Sequence, residues 1–300
     1  MRVLVTGGSG FLGQHIVRRL ARDHEVFTAQ RHFVSTSIQG THDLELDLAE
    51  LTPETLGRLT GGRLDVVVHL AARLDNPFGV DHTLSELASS NVVATLRLLE
   101  ASAVLGIRRF VHGSTGGVGR NKPAGRRMYE NDPAGPLNPY GLTKHLAEQA
   151  VGAYHWPFEK VSLRYFAPYG RNGSNPMFQH VIAAIERSDA IDVGAGGGHE
   201  MNPIHIDDAV DATIRAIDAP GLPPVLNIAG PDVVSMAELI RLLAAALGRP
   251  AILREGPQPK ESGVADIEQM SRYLGLPRIG IAEGIRREWA GAGAGLRRPE

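Results

Sequence analysis

A glycine-rich turn near residue 7 constrains the fold of this chain more than any other feature. The apolar run Val3–Val5 leads into it, and a helical pattern begins at Phe11. The glycines, spaced as GxxGxxG, are Gly7, Gly10 and Gly13. Glycine permits a tight turn and a close backbone approach to a pyrophosphate. The first turn of the following helix offers free N–H groups to phosphates. A strand, this turn and a helix together predict a dinucleotide-binding site.

The rest of the chain alternates short apolar strands with helical patterns. Val66–Leu70 is a continuous apolar run, which is typical of a strand buried on both faces. Strands that alternate with helices predict an α/β fold with a doubly wound parallel, Rossmann-type sheet. We place the further elements, in chain order, at Glu25–Ala29, Asn91–Ala103, Arg109–His112, Tyr140–Ala153, Val161–Tyr165, Gln179–Arg187, Asp207–Ile217, Val225–Ile228 and Met236–Leu247.

We divide the chain into two units. Residues 1–168 form the dinucleotide-binding domain, and residues 169–300 form mainly a smaller C-terminal substrate-binding lobe. The chain should return to the first domain around residues 205–232. The Gly-Ala repeat that starts at residue 291 has low complexity, so we expect a disordered tail there.

Composition excludes several classes of function. The chain has 300 residues, no cysteine and a formal net charge of −2. Disulfides, thiolate nucleophiles and cysteine-ligated zinc are therefore excluded, and we predict no metal site. The near-neutral charge gives no footprint for nucleic acid. There is no signal-peptide pattern, and no apolar run approaches the roughly 18 residues of a membrane helix. The sequence predicts a soluble, cytoplasmic protein without nucleic-acid or membrane partners.

The end of the second strand bears on the choice between NAD and NADP. An acidic residue there would accept hydrogen bonds from the ribose 2′-hydroxyl, but the strand ends in Gln30 and Arg31. Arg31 could pair with the 2′-phosphate of NADP, which favours NADP over NAD. The alternative is that Arg31 is a solvated loop charge. Further on, Asp47 could accept from the adenine amino group, or could simply be a turn aspartate.

A second motif, YxxxK, opens the helix predicted at Tyr140. Tyr140 and Lys144 are four residues apart and therefore share one helical face. An adjacent ammonium favours the phenolate and lowers the pKa of a tyrosine. Ser114 follows a strand at the edge where doubly wound sheets bind ligands, and its hydroxyl could hold a carbonyl oxygen while Tyr140 transfers the proton. Taken alone, the Tyr-Lys pair is also compatible with an ordinary surface pair.

With these motifs in place, the chain resembles the extended short-chain dehydrogenase/reductases of the NAD(P)-dependent nucleotide-sugar epimerase/dehydratase family. The similarity covers nearly the whole chain in family order. The matching segments are VTGGSGFLG (5–13), DL (47–48), VVHLAA (67–72), NVVATLRLLEAS (91–102), GSTGGVG (113–119), NPYGLTK (138–144), LRYFAPYG (163–170), IHIDDAV (204–210), LNIAG (226–230) and MAELIRLLAAALG (236–248).

The resemblance implies roles for individual residues. Tyr140 is the acid/base, Lys144 orients the cofactor ribose, and Ser114 matches the family's serine or threonine by its spacing to Gly119, with Thr115 as the fallback. The helices at residues 91–103 and 140–153 resemble the pair that forms a four-helix homodimer interface. The cofactor contacts implied are Gly7, Gly10, Phe11, Leu12, Gly13, Arg31, Asp47, Leu48, Leu70, Ala71, Ala72, Asn91, Tyr140, Lys144 and Tyr165. The substrate contacts implied are Arg73, Ser114, Thr115, Tyr140, Ala167 and Met201.

Departures from the family pattern narrow the chemistry. Sugar-nucleotide dehydratases carry an Asp-Glu pair where this chain has Gly116 and Gly117, and neither glycine can move a proton. Reductases that also epimerise beside the ketone use a cysteine, which is absent. Ala167 stands where many UDP-sugar enzymes have asparagine. Met201 replaces an arginine that contacts the nucleotide phosphates. The cations that might substitute for that arginine are Arg171, Arg254 and Lys260.

Three hypotheses about function follow from the resemblance and these departures. The leading one is an NADPH-dependent reductase of a nucleotide-linked 4-keto sugar. The second is a nucleotide-sugar 4-epimerase that keeps NAD tightly bound. The third, of another class, is a cofactor-sensing binding protein without turnover. Reduction of a carbonyl that is not on a sugar also stays open, because the phosphate-contacting arginine is missing.

Overall fold

The computed structural model describes residues 1–31, 38–74, 81–173 and 175–290, and the structural statements below concern those residues. The tail from residue 291 lies outside them. The strands are β1 (Arg2–Thr6), β2 (Glu25–Gln30), β3 (Thr41–Glu45), β4 (Val66–His69), β5 (Arg109–Thr115), β6 (Lys122–Pro123), β7 (Glu159–Tyr165), β8 (Ala190–Val193), β9 (Glu200–Met201), β10 (Val225–Ile228), β11 (Val234–Ser235), β12 (Ile252–Glu255) and β13 (Glu261–Ser262). The helices are α1 (Phe11–Leu20), α2 (Pro53–Leu59), α3 (Leu84–Ala88), α4 (Ala94–Val104), α5 (Pro139–Ala153), α6 (Pro176–Arg187), α7 (Ile206–Asp218), α8 (Met236–Leu247), α9 (Glu268–Leu274) and α10 (Ile281–Trp289).

Seven parallel strands form the main sheet, in the order β10-β7-β5-β4-β1-β2-β3. Side chains alternate between its two faces. Val3 and Val5 of β1 face a core shared with α1 and α7, whereas Leu4 faces a core shared with α4. Because both faces are covered by helices, the central strands are apolar throughout, as in Val66–Val68. The predicted α/β class with a doubly wound parallel sheet is confirmed.

The chain returns to the main sheet after leaving it. β10 pairs with β7, with Leu226 opposite Leu163, and α7 packs beside α1. Residues between these elements and beyond them build a second unit with its own core, in which Phe178, Leu243 and Trp289 are buried together. The exact limits of the two units remain a prediction.

Several helices begin earlier than their apolar patterns indicate, because capping groups precede those patterns. The helix expected from residue 91 begins at Leu84, where Thr83 and Glu86 form a capping box, and it continues into α4 through the π turn Ser89–Val93. α6 begins at Pro176 rather than residue 179, because the side chain of Asn175 accepts from Met177 N.

Several short elements were not predicted from the sequence. β8 and β12 form a two-stranded parallel sheet, and β11, β9, β13 and β6 form a small four-stranded one. α2, α9 and α10 were also not predicted. Strands of two to four residues show too few alternations for a period to be read, and helices of seven to nine residues give only two turns.

No helix in the described part of the chain is long and apolar enough to cross a lipid bilayer.

The order of the main sheet fixes where a ligand can bind. β2 and β3 lie on one side of β1, and β4, β5, β7 and β10 lie on the other. Successive strands are therefore added on one side of β1 as far as β3, and on the other side of β1 from β4 onward. In open sheets of this kind a crevice forms at the carboxyl ends of the two strands on either side of that point. Thr6 ends β1 and His69 ends β4, so the crevice lies just beyond these residues.

Candidate active site

A cavity of about 550 Å³ lies at that crevice and brings most of the predicted site residues together. The predicted residues that line it are Gly7, Gly10, Phe11, Leu12, Gly13, Arg31, Asp47, Leu48, Leu70, Ala71, Ala72, Arg73, Ser114, Thr115, Tyr140, Tyr165 and Ala167. Among the residues that the sequence did not predict, Ser90, Pro168 and Asn175 also contribute to its wall. Three predicted residues, Asn91, Lys144 and Met201, do not line it.

The turn after β1 forms one end of the cavity and fits a pyrophosphate. Gly7 has φ +71°, and a Cβ there would lie 2.7 Å from Ala71 N, so only glycine is accommodated. A Cβ at Gly13 would lie 2.1 Å from Gly7 O. α1 starts with no side chain capping it, so its first N–H groups stay available to an anion. The cradle formed by this backbone suits the phosphates of a dinucleotide.

The side of the cavity next to β2 suits an adenosine. Gln30 and Arg31 line it after β2, and Asp47 and Leu48 line it after β3. Asp47 Oδ1 accepts a hydrogen bond from Ala49 N at 2.9 Å, which fixes the orientation of the carboxylate at the start of a short 3₁₀ turn. No acidic residue stands at Gln30 or Arg31 to receive a ribose 2′-hydroxyl.

Asn91 supports the opposite wall without reaching the cavity. Its buried amide accepts from Arg73 N at 2.7 Å and donates to Arg73 O at 3.0 Å and to Thr143 Oγ1 at 2.9 Å. It therefore ties the segment after β4 to α5. Asn91 therefore positions the backbone at Arg73 and the first turns of α5. Its side chain does not line the cavity, where we expected it to contact a cofactor.

Tyr140 is presented to the cavity by the start of α5. Asn138 caps this helix by accepting from Gly141 N at 2.7 Å. A Cβ at Gly141 would lie 2.5 Å from Gly117 O, so the first turn of α5 packs directly on the loop that follows Thr115. Tyr140 and Thr115 both line the cavity.

Ser114 and Thr115 both line the cavity, but their hydroxyls differ in availability. The buried Ser114 Oγ donates to Glu148 Oε1 at 2.5 Å, and Glu148 is itself held by two hydrogen bonds from Arg164. Thr115 Oγ1 is half-buried and accepts only from Gly117 N, at 3.1 Å, so its proton remains free to donate. The geometry favours Thr115, the fallback, over Ser114.

Lys144 lies beneath the cavity floor, and its environment corrects our expectation for Tyr140. Its side chain is 1% exposed, and Nζ is 3.0 Å from His112 Nε2. Burial lowers the pKa of Lys144 to about 8, opposed by the charge of Glu148. Burial also raises the pKa of Tyr140 to about 12, whereas the sequence predicted that Lys144 would lower it. Tyr140 is therefore a neutral phenol in this structure, ready to donate a proton.

Met201 does not line the cavity, and its contact with the substrate stays a prediction. It lies on β9 opposite Val234, and its side chain is buried in the core of the second unit. The three cations proposed to replace the missing arginine are also engaged elsewhere. Arg171 donates to Glu288, Arg254 pairs with Asp192, and Lys260 pairs with Glu200. Arg31 and Arg73 are the cationic residues among the described ones that line the cavity.

Comparison with known proteins settles the family. A family model described as the NAD dependent epimerase/dehydratase family matches residues 3–229. The chain belongs to this family. It is therefore an NAD-dependent enzyme on a nucleotide-binding α/β fold, and the resemblance seen in the sequence is confirmed.

Relatives in the family include epimerases and reductases. The chain is 28% identical to a UDP-glucose 4-epimerase of Mycolicibacterium smegmatis, over 96% of this chain and 97% of that protein. It is also 28% identical to a dTDP-4-dehydro-6-deoxy-D-allose reductase of Streptomyces bikiniensis, over 95% of each chain. A UDP-glucuronic acid 4-epimerase of Bacillus cereus, solved in complex with NAD, superposes with a TM-score of 0.82 and 25% identity, over 96% of this chain and 97% of that one.

The cofactor seen in such relatives is NAD, and these comparisons give no support to the preference for NADP drawn from Arg31.

The family's elimination chemistry meets a steric obstacle in this member. A Cβ at Gly116 would lie 2.6 Å from Phe166 Cε1, so no larger residue fits there unless the ring moves. The packing around Gly116 therefore requires a glycine, whereas a Cβ at Gly117 would meet nothing closer than Thr115 Oγ1 at 3.5 Å. No side chain at residue 116 or 117 can act as an acid or base beside Tyr140.

Ala167, in the cavity wall, holds a backbone conformation that strains an L-residue. Its φ is +42°, which costs roughly 1–2 kcal/mol for a residue with a Cβ. We expect Ala167→Gly to raise the free energy of unfolding by about 0.5–1 kcal/mol, because the relief of strain exceeds the added chain entropy of glycine in the unfolded state. Chemical denaturation measures this change.

The matched control is Ala219→Gly, where the backbone has an ordinary φ of −63°. It should lower the free energy of unfolding by about 0.4–1 kcal/mol. Equal losses at the two positions would show that Ala167 carries no strain.

Proposed function

We propose that this enzyme transfers a hydride at one sugar carbon of a nucleotide-linked sugar, and that it reduces a 4-keto sugar. The observation that carries the proposal is the pairing of a neutral Tyr140 with Thr115 beside glycines that allow no further acid or base. Such a site can exchange one proton alongside one hydride, but it lacks the groups for eliminating water. The reductase and epimerase relatives fit this chemistry.

The proposed reduction uses each group once. The reduced nicotinamide, when bound, supplies the hydride to the carbonyl carbon. Tyr140 Oη donates its proton to the carbonyl oxygen, so the ketone becomes an alcohol. Thr115 Oγ1 donates a hydrogen bond to the same oxygen and stabilises the negative charge that develops there. The phenolate left on Tyr140 then regains a proton from water, which restores the neutral phenol.

Three alternatives remain in view. A 4-epimerase would oxidise and then re-reduce the same carbon with NAD that stays bound, and the UDP-glucose 4-epimerase relatives favour it. A cofactor-sensing protein without turnover would not need Tyr140, Thr115 and Lys144 together. A non-sugar carbonyl substrate is supported by the engagement of Arg171, Arg254 and Lys260 outside the cavity.

Turnover assays separate these candidates. We expect the purified enzyme to oxidise NADPH in the presence of a dTDP- or UDP-linked 4-keto sugar, and to do so faster than NADH if Arg31 recognises the 2′-phosphate. Mass spectrometry of the cofactor released on denaturation provides the control. Tightly retained NAD together with interconversion of UDP-glucose and UDP-galactose would favour the epimerase. Failure of every keto sugar to oxidise either cofactor would rule out the reductase.

Substitutions test which hydroxyl takes part. Tyr140→Phe should lower kcat by at least about 100-fold, because the proton donor is lost. Thr115→Val should lower kcat by about 10- to 100-fold, because one donor to the oxyanion is lost. Ser114→Ala removes a hydroxyl already committed to Glu148, so it should cost about 1 kcal/mol of stability with little change in kcat. A Ser114→Ala enzyme as impaired as Thr115→Val would restore Ser114 as the catalytic hydroxyl.

We also propose a homodimer formed through α4 and α5. These helices pack side by side and carry exposed apolar side chains, including Leu96 (39% exposed) and Leu146 (45% exposed). A charge buried at a two-fold interface lacks a partner, so Leu146→Glu should convert the dimer to a monomer. Light scattering coupled to size exclusion measures the mass. Leu276→Glu, at a leucine outside these helices that is still more exposed (67%), is the control and should leave the mass unchanged.

A further inference from the structure

Lys144 carries its ammonium in a place where water cannot reach it. The side chain is 1% exposed, and a buried ammonium is stable only with hydrogen-bond acceptors around it. Among the described residues, the hydrogen bond from Nζ goes to His112 Nε2, at 3.0 Å. The nearest carboxylate on the same helix, Glu148, is occupied by Ser114 and by Arg164. The acceptor for Lys144 is therefore an imidazole.

The hydrogen bonds of His112 fix which of its nitrogens carries the proton. An ammonium can only donate, so Nε2 must accept from Lys144. A neutral imidazole then carries its proton on Nδ1, which lies 3.1 Å from Ser162 Oγ and donates to it. His112 is fully buried, so the ring has no alternative water partner. Ser162, on the neighbouring strand β7, thereby holds the tautomer that Lys144 requires.

We propose that His112 is a positioning residue for the hydride-transfer site, holding the ammonium of Lys144 under the cavity floor where it acts on Tyr140 and on the cofactor ribose. The inference rests on the proposed function, because it concerns the same Tyr-Lys pair. It adds a residue that makes no contact with the cavity. His112 acts through Lys144 alone, from the strand that ends in Ser114 and Thr115.

The charged groups around His112 favour this arrangement. Its ring stacks on His69 of β4, and its Nε2 faces the ammonium of Lys144 of α5. Burial, Lys144 and His69 hold the pKa of His112 well below its usual range, so the ring stays neutral and able to accept. His69 is also neutral, with its pKa lowered to about 3 by burial and by Lys144. The ammonium of Lys144 therefore faces the lone pair of His112 Nε2, and neither neutral histidine repels it as a second cation.

The arrangement has a consequence for pH dependence. The pKa of Lys144 is about 8, so its charge is present below that pH and is lost above it. Removing an acceptor from the charged form lowers the pKa further, because the ammonium then has less to gain by staying protonated. An enzyme without the His112 acceptor should therefore lose Lys144-dependent binding at a lower pH. If His112 only filled space, replacing it would not change the pH at which cofactor binding is lost.

The test compares His112→Gln, which keeps an acceptor, with His112→Phe, which fills the space without one. Fluorescence titration of NADH and NADPH at pH values from 6 to 10 gives the dissociation constant without any substrate. His112→Phe should weaken cofactor binding about tenfold at pH 7 and move the alkaline loss of binding about one pH unit lower. His112→Gln should stay close to the wild type in both.

Two further variants keep the inference testable if His112→Phe does not fold. Ser162→Ala frees the tautomer of His112 and should move the alkaline limb in the same direction by a smaller amount. Leu243→Ala, in the core of the second unit, lowers the unfolding temperature but should leave the pH dependence of binding unchanged. The proposal is overturned if the pH at which cofactor binding is lost is unchanged in Ser162→Ala and in any His112→Phe enzyme that folds.

Because the titration needs no substrate, these outcomes are distinguishable from a failure of the proposed reduction. If the wild-type enzyme binds cofactor but reduces no keto sugar, the proposed function is contradicted. The binding titrations of the His112 variants still test the role of His112. Where turnover is found, the kcat profile should show the same shift with little change in KM for the sugar.

Discussion

The close contact between the turn after β1 and the segment after β4 organises the whole site. At Gly7 the backbone passes so near Ala71 that no side chain fits between them, and Thr6 Oγ1 accepts a hydrogen bond from Ala71 N at 3.2 Å. The same hydroxyl bonds to His69 Nδ1 at 2.7 Å. The two strands are thereby locked at the point where the crossovers diverge. The turn after β1 and the segment after β4 contribute Gly7, Leu70 and Ala71 to the cavity wall.

Sequence reasoning reached this part of the molecule because its constraints are local. A turn that needs a positive φ is recognised by the glycine at that position, and a strand buried on both faces is recognised by a continuous apolar run. The YxxxK pair is equally local, since four residues span one turn of helix. The position of Met201 could not be read from the sequence for the converse reason. Its distance from the cavity depends on how β9 pairs with β11 and β13, and two-residue strands carry no periodicity that reveals their partners.

The polar layer under the cavity floor could not be predicted in the same way. His69, His112, Lys144, Glu148 and Arg164 come from four elements separated in sequence, and their partners are set by the sheet order. Burial is what changes their chemistry: it keeps the imidazoles neutral, lowers the pKa of Lys144 and raises that of Tyr140. Spacing along α5 does place Glu148 one turn beyond Lys144, so this part of the layer was visible as an i, i+4 relation. The sequence did not reveal which acceptor each hydrogen-bond donor in this layer would bind.

The distribution of positive charge bears on what the cavity recognises. Arg171, Arg254 and Lys260 are committed to carboxylates or carbonyls outside it, and Met201 is in a hydrophobic core. Negative charge on a ligand must then be met by Arg31 near the adenosine side, by Arg73 after β4, and by the N–H groups at the start of α1. The pyrophosphate of the cofactor takes the α1 groups. Arg73 is held by Asn91 through its own backbone, so its position follows from the same contact that fixes α5 and Tyr140. The backbone of Arg73 and the first turns of α5 are therefore linked through a single buried asparagine.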